Sequence, residues 1–319
     1  MDWLDGGNDA PLIAARAVHF AATAVMTGTL VFRTMVAPPV LRSEQAAAAR
    51  FRAKALGLAW IALATTVGSG AIWLLLQAGA ISGLPVSEAM TPGVLSIVVN
   101  HTQFGFVSEI RLGLAVVVAA CLTYDRLALT DGLALAAAVG LSAALAWSGH
   151  GGSTPGALGN LHLAGDALHL IAAASWVGGL VPLVLLLALA RYDPLPGWAS
   201  IARDAAERFS ILGILSVATL LATGIVNAWI LVGSFNALFA TQYGRLLLLK
   251  MILFAIMLVF AAVNRIALTP RLAGSPESGA RIDALRLLTR NSVVEIALGL
   301  TIFAMVGMLG TLHPAIHLM

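Results

Sequence analysis

The chain has 319 residues, of which 60% are hydrophobic and 10% charged, with a net charge of +3. Soluble domains carry roughly 25% charged residues, so this composition excludes a water-soluble globular fold and makes lipid the natural solvent. The one cysteine, Cys121, excludes an intrachain disulfide and a thiolate cluster; it lies in an apolar run and reads as a small buried hydrophobe.

A spanning helix needs about 20 mainly apolar residues. Eight segments qualify, at about 12–36, 51–79, 103–124, 131–149, 160–190, 206–232, 243–267 and 289–312. The expected fold is therefore an all-α polytopic membrane protein with eight transmembrane helices. Asp2, Asp5 and Asp9 precede the first segment, where a signal peptide would be basic. Between the second and third lies a weaker stretch, Val86 to Val99, broken at Thr91-Pro92-Gly93 and expected to be interfacial or re-entrant. Ser148-Gly149-His150-Gly151-Gly152-Ser153 is glycine-rich but has no phosphate-binding lysine, and reads as a loop. No motif of a nucleotide-binding, protease or kinase active site is present, and no enzymatic activity is expected.

The basic residues set the orientation. Arg33, Arg42, Arg50, Arg52, Lys54, Arg126, Arg191, Arg203, Arg208, Arg265, Arg271, Arg281, Arg286 and Arg290 fall on one side, in or beside the loops after helices 1, 3, 5 and 7. That side is expected to be cytoplasmic, with both termini outside. Basic residues spread over such loops do not form a nucleic-acid face. Tyr124, Tyr192 and Tyr243 fall at the expected interfaces.

The chain also repeats itself. Thr102-Gln103-Phe104-Gly105 is echoed by Thr241-Gln242-Tyr243-Gly244, Arg111 then falls on Lys250, and Asp125-Arg126 on Asn264-Arg265. Ala17-Val18-His19-Phe20 matches Ala167-Leu168-His169-Leu170, which sets Gly28 on Gly178. Gly57, Gly68 and Trp73 match Gly213, Gly224 and Trp229. Helix 1 thus resembles helix 5, helix 2 helix 6, and helix 3 helix 7. Two tandem four-helix repeats are expected within one membrane domain, at about 1–150 and 151–319. Counted by spans, residues 1–130 carry helices 1–3 and residues 131–319 carry helices 4–8. Ligand sites of such proteins lie near the repeat interface.

All seven histidines map to the outer half or outer edge: His19, His101, His150, His162, His169, His313 and His317. Imidazole is the commonest transition-metal ligand near neutral pH. At interfaces the ring is at home as a solvated side chain, which is the plain reading of His101, His150, His313 and His317. His19 and His169 lie within spans, where an ionisable group is expensive and marks function by default. His162, Asp166 and His169 are spaced i, i+4, i+7, on one helix face. Asp166 can ligate, orient an imidazole, or pair with Arg16 or Arg111. Thioethers favour Cu(I), which adds Met305, Met308 and Met26 as candidate ligands. Glu109, Arg111, Arg245 and Lys250 are outer-half charges suited to a paired network, and Glu295 near the inner end of helix 8 suits a protonated carboxyl.

These residues carry a resemblance. Asp166-Ala167-Leu168-His169-Leu170, Ser175-Trp176-Val177-Gly178-Gly179-Leu180, Arg208-Phe209-Ser210, Ala222-Thr223-Gly224-Ile225-Val226-Asn227-Ala228-Trp229, Tyr243-Gly244-Arg245, Ala262-Val263-Asn264-Arg265 and Gly310-Thr311-Leu312-His313-Pro314-Ala315 are similar to stretches of the CopD-type copper-resistance membrane proteins. The resemblance implies a bacterial inner-membrane protein that takes up periplasmic copper, as Cu(I) or Cu(II), and imports or delivers it, receiving it from a small CopC-like periplasmic protein. By matching motifs it favours His19, His150 and His169 as functional residues. The candidate metal ligands are accordingly His19, His150, His169, His162, Asp166, His313, Met305 and Met308. A second expectation is a haem b protein for transmembrane electron transfer or metal reduction. There His19 and His169 are the axial ligands, and Gly28 and Gly178 leave room for the macrocycle.

Overall fold

The computed structural model describes residues 9–42, 44–127, 129–149, 156–192, 197–273 and 279–317. Among these residues, eight helices are long and apolar enough to cross a membrane: α1 (Ala10–Val40), α2 (Gln45–Ser82), α3 (Gln103–Thr123), α4 (Thr130–Ser148), α5 (Leu158–Tyr192), α6 (Ser200–Val232), α7 (Gln242–Ala273) and α8 (Gly279–Leu309). Among the described residues there is no strand. The spans fall where the apolar runs put them, but α2, α6 and α8 begin earlier than their apolar segments. The added stretches carry Arg50, Arg203 and Arg286, so a helix can continue past the point where hydropathy stops reporting it.

α1 and α5 form the centre of the bundle. Of their most apolar stretches 78% and 67% are enclosed by protein, against 6% for α7. α1 packs on α2, α4, α5 and α8, and α5 packs on α1, α4, α6 and α8; α3 closes on α4 and α7 on α8. The α1–α5 crossing is made by glycine. A Cβ added to Gly28 would stand 2.6 Å from the Ala174 carbonyl oxygen, and one on Gly178 would fall on the Ala24 carbonyl. Without a hydrophobic drive between helices in lipid, such close backbone contact supplies the packing energy.

Three π turns interrupt the long helices, Phe32–Val36 in α1, Ala174–Gly178 in α5 and Asn264–Leu268 in α7. Each is followed by a proline: Pro38, Pro182 and Pro270. Proline has no N–H for the carbonyl four residues back and its ring crowds that carbonyl. Those carbonyls belong to Thr34, Gly178 and Ile266, inside the three widened turns. The local widening is the helix's accommodation of the proline.

The end of the bundle where α1 joins α2, α3 joins α4, α5 joins α6 and α7 joins α8 carries Arg33, Arg52, Arg203 and Arg271; it is called the basic end below, and the opposite one the histidine end. At the histidine end the stretch Val86–Val99 forms two short helices, Val86–Ala89 and Pro92–His101, folded against α2 and α3. Thr102 then caps α3: its Oγ1 accepts the Gly105 N–H at 3.0 Å. Thr241 does the same for α7 with Gly244, also at 3.0 Å. A Cβ on Gly105 would strike the Val98 and Val99 backbone, and one on Gly244 that of Ala237 and Leu238. Cap and close approach together account for the Thr-Gln-aromatic-Gly motif occurring twice. Tyr124 and Tyr192 are exposed at the helix ends, but Tyr243 is buried among Val232, Ala237 and Leu309. Tyr243 still stands at the start of its span, and the short helix Phe235–Ala240 packs over its ring.

Candidate metal centre

His19 and His169 occupy two separate pockets near the histidine end. His19 rests on α2 and His169 on α6. His19 Nδ1 lies 3.0 Å from the Thr66 carbonyl and 3.2 Å from Ser69 Oγ, both on α2. A carbonyl only accepts, so the proton is on Nδ1 and the Nε2 lone pair is bare. His19 Nε2 is buried with no partner. His169 Nδ1 lies 2.9 Å from Thr223 Oγ1 on α6. That hydroxyl donates its own proton to the Thr219 carbonyl at 2.6 Å, so it accepts from Nδ1–H and again leaves Nε2 bare. Both rings thus hold the tautomer that binds a metal through Nε2, with Nδ1–H anchored to the protein.

The surroundings of the two rings differ. Around His19 stand Arg16 and Arg111, both buried. Their Cζ atoms lie 5.1 and 4.8 Å from the centroid of the Trp73 ring, which also meets His19 edge-on at 5.4 Å. Arg111 donates to Ser148 Oγ at 3.0 Å. The Nε atoms of Arg16 and Arg111 are buried without acceptors, and among the described residues neither guanidinium pairs with a carboxylate. Around His169 the charges are mixed. Asp166 sits one turn earlier on α5, its Oδ1 accepting from Asn227 Nδ2 of α6 at 2.5 Å and its Oδ2 lying 3.8 Å from His162 Nε2. Lys250 of α7 brings its charge to Asp166 and His169. Gly165 makes room: a Cβ there would stand 3.1 Å from Asn227 Oδ1.

Several expectations are corrected by this geometry. Asp166 does not pair with Arg16 or Arg111, because it faces α6. Glu109, Arg111, Arg245 and Lys250 do not form one network. Glu109 is exposed, Arg111 turns to Trp73 and Ser148, Arg245 reaches back to the Thr241 carbonyl at 3.4 Å, and Lys250 faces Asp166. Met26 is filler in an apolar cluster with Leu30, Ala59 and Cys121. Met305 is buried and Met308 half-buried on α8, flanking Gly307, where α8 meets Ile13 and Ala17 of α1. Neither has a hydrogen bond or ring contact with His162, Asp166 or His169 among the described residues. His313 and His101 are exposed. His150 lies outside the described residues. Among those described, no three His, Cys, Asp or Glu side chains are gathered closely enough to hold a metal ion as they stand.

A haem bridging His19 and His169 does not fit these residues. The two rings face different helices, and Gly28 and Gly178, expected to leave space for a macrocycle, fill that space with each other's backbone. Residues missed in the sequence include Trp73, Ser69, Thr223 and Asn227. Thr223 and Asn227 are four apart, on one face of α6, at the level of His169 and Asp166. A polar pair at that spacing in an apolar helix was the available signal.

Comparison with known proteins accords with this layout. Residues 7–160 match the family described as copper resistance protein D-like, N-terminal domain, and residues 203–309 match copper resistance protein D. Inner membrane protein YebZ of Escherichia coli (strain K12) is 29% identical over 305 residues, covering 95% of this chain and 98% of that protein. Copper resistance protein D of Pseudomonas syringae pv. tomato is 28% identical over 244 residues, 76% of this chain and 78% of that one. Copper transport protein CutJ of Bacillus subtilis (strain 168) is 38% identical over 99 residues, 31% of this chain and 18% of that one. No solved structure matches. With its two matches covering most of an eight-helix membrane bundle, the chain belongs to the copper resistance protein D family.

Proposed function

We propose that this protein is a copper carrier of the bacterial inner membrane, not an enzyme, and that copper is taken at His169, Asp166 and His162. In this reading the basic end is cytoplasmic, both termini are periplasmic, and copper arrives from the periplasm, handed over by a small soluble copper-binding protein of the CopC kind. The name of the Escherichia coli relative supports the inner membrane, and those of the other two support copper as cargo. The observation that carries the ligand assignment is Asp166. It is a carboxylate that shares a helix face with His162 and His169, its Oδ2 lies 3.8 Å from His162 Nε2, and Asn227 holds it there. A copper ion at His19 would instead meet Arg16 and Arg111. One unit charge at about 5 Å repels another by roughly 3 kcal/mol at an effective dielectric of 20, and two guanidiniums double that. His19 is therefore read as a positioning residue that ties α1 to α2.

The chain is also read as two tandem four-helix halves, α1–α4 and α5–α8. The matched caps at Thr102 and Thr241, the matched anchoring of His19 on α2 and His169 on α6, and the central α1–α5 crossing support this.

The test is elemental analysis of the purified full-length protein after copper exposure and washing, reading copper and iron together. The wild type is expected to retain stoichiometric copper without iron. His169→Ala is expected to lose it, and His19→Ala to retain it. Loss in His19→Ala alone would move the site to α1 and sink the assignment. Stoichiometric iron would revive haem.

A further inference from the structure

A second buried polar cluster lies towards the basic end, away from His19, His162 and His169. Glu295 of α8 is 1% exposed, within a membrane-spanning helix. Its Oε1 accepts from Asn264 Nδ2 at 2.7 Å, and Asn264 Oδ1 accepts from Asn291 Nδ2 at 2.9 Å. Asn264 opens the π turn of α7, whose widened backbone is closed by Thr269 Oγ1 donating to the Asn264 carbonyl at 2.8 Å. Asn291, Ser292 and Glu295 are spaced i, i+1, i+4 and face the same interior.

Donors and acceptors do not balance there. Asn291 Oδ1 and Ser292 Oγ are both buried without a partner. A carboxylate adds two more acceptors and no donor, and no cation is paired with Glu295 among the described residues. A proton on Glu295 corrects both faults at once. It removes an anion from an apolar interior, where an ionised group is costly, and it adds a donor to a cluster that holds an unpaired carboxamide oxygen.

The cluster is also connected to the outside. Glu295, Ser292, Asn264 and Thr269 line a cleft of about 400 Å³ between α6 and α7, floored by Trp176 and Phe209. Arg265 on α7, held by Ser210 Oγ of α6 at 2.6 Å, is the other charged group lining it; the α5 and α6 positions lining it bring none. A side chain serving only to pack α8 against α7 needs no such opening.

We propose that Glu295 is an intramembrane proton site. It takes up and releases a proton through the α6–α7 cleft, and the Asn264 carboxamide holds the carboxyl in place in both states. The inference does not depend on copper.

The full-length protein in detergent is treated with dicyclohexylcarbodiimide, an apolar reagent that captures protonated carboxyls in apolar surroundings, and mapped by peptide mass analysis. The expected result is an adduct on Glu295 that weakens as pH is raised and that is missing from Glu295→Gln. Sodium chloride in place of choline chloride at fixed pH is expected to leave labelling unchanged. Protection by sodium would overturn the proposal in favour of a hard-cation site. Infrared difference spectra of wild type against Glu295→Gln decide independently of reagent access. They should show a protonated-carboxyl carbonyl band that fades with rising pH. A band absent at every pH, or unchanged to high pH, means that Glu295 does not exchange protons and the proposal fails.

Discussion

The pockets of His19 and His169 begin alike and end differently. In each, Nδ1–H is anchored on the next helix and Nε2 is left bare. Around His19 the neighbours are two buried arginines and a tryptophan with no exposed surface; around His169 they are a carboxylate, an amide and one lysine. The tryptophans at matched positions show the same split. Trp73 is 0% exposed, whereas Trp229 is 71% exposed on the outer surface of α6. One histidine is enclosed with two arginines, the other shares a helix face with a carboxylate. Sharing a tautomer is therefore not sharing a role, because the charge of the neighbours decides which cargo the bare nitrogen can meet.

The strongest way to break this comparison is to remove each tryptophan. Trp73→Ala empties the centre of the first pocket and leaves Arg16 and Arg111 without their cation–π partner. A loss of about 3–5 kcal/mol is expected for a buried aromatic. Trp229→Ala faces outward and is expected to change stability by less than about 0.5 kcal/mol. Thermal unfolding of both variants in the same detergent measures the difference. Equal losses would mean that the two pockets are not distinct in packing.

The sequence was most informative where a physical period or length was at stake. Eight spans follow from the length of the apolar runs, and the shared face of His162, Asp166 and His169 follows from helical spacing. What it could not give was which helix each face meets. Asp166 had Arg16 and Arg111 as candidate partners by depth alone, and only the packing of α5 on α6 and the approach of α7 give it Asn227 and Lys250 instead. Gly28 and Gly178 illustrate the same limit. Their small size was legible, but small residues serve equally to admit a ligand or a neighbouring backbone, and here the neighbouring helix takes the space. Glu295 was legible as a buried acid, while Asn264 was hidden because an asparagine at a helix end normally reads as a cap.

A smaller effect sharpens the charge argument itself. If Asp166 makes the α5 site suited to a cation, Asp166→Asn should weaken copper binding by at least about 10–100-fold, the range already seen for groups that only support metal ligands. The shape of the pocket is kept, since an amide can still meet Asn227. Arg111→Gln should leave copper affinity within about threefold, well under 1.4 kcal/mol, because it touches only the His19 pocket. Competition titrations with a copper chelator compare the two. A larger effect from Arg111→Gln would place copper beside His19 after all.

The smallest expected effect lies at the basic end, where two positions matched in sequence differ again. The loop after α3 carries Asp125, which pairs with Arg33 of α1 and with Arg52 of α2, the latter at 2.7 Å through Nε; Arg33 also reaches Asp131 at 3.0 Å. The matched position in α7 is Asn264, which binds the buried Glu295 instead. Partial burial alone would raise the Asp125 carboxyl, but hydrogen bonds from Arg52 and Arg33 outweigh it and hold the group below its ordinary value. A carboxyl lowered on folding stabilises the folded state above its unfolded value of about 4, and that contribution is lost as pH falls through the folded value. Asp125→Asn should thus cost about 1 kcal/mol at pH 7, since Arg52 is largely exposed and its pair is screened. The gap between wild type and variant should close below pH 4. Melting temperatures of the two proteins across that range give the measurement. A gap that stays constant with pH would show that Asp125 acts by shape rather than by charge, and that the clamp on α1 and α2 is not electrostatic.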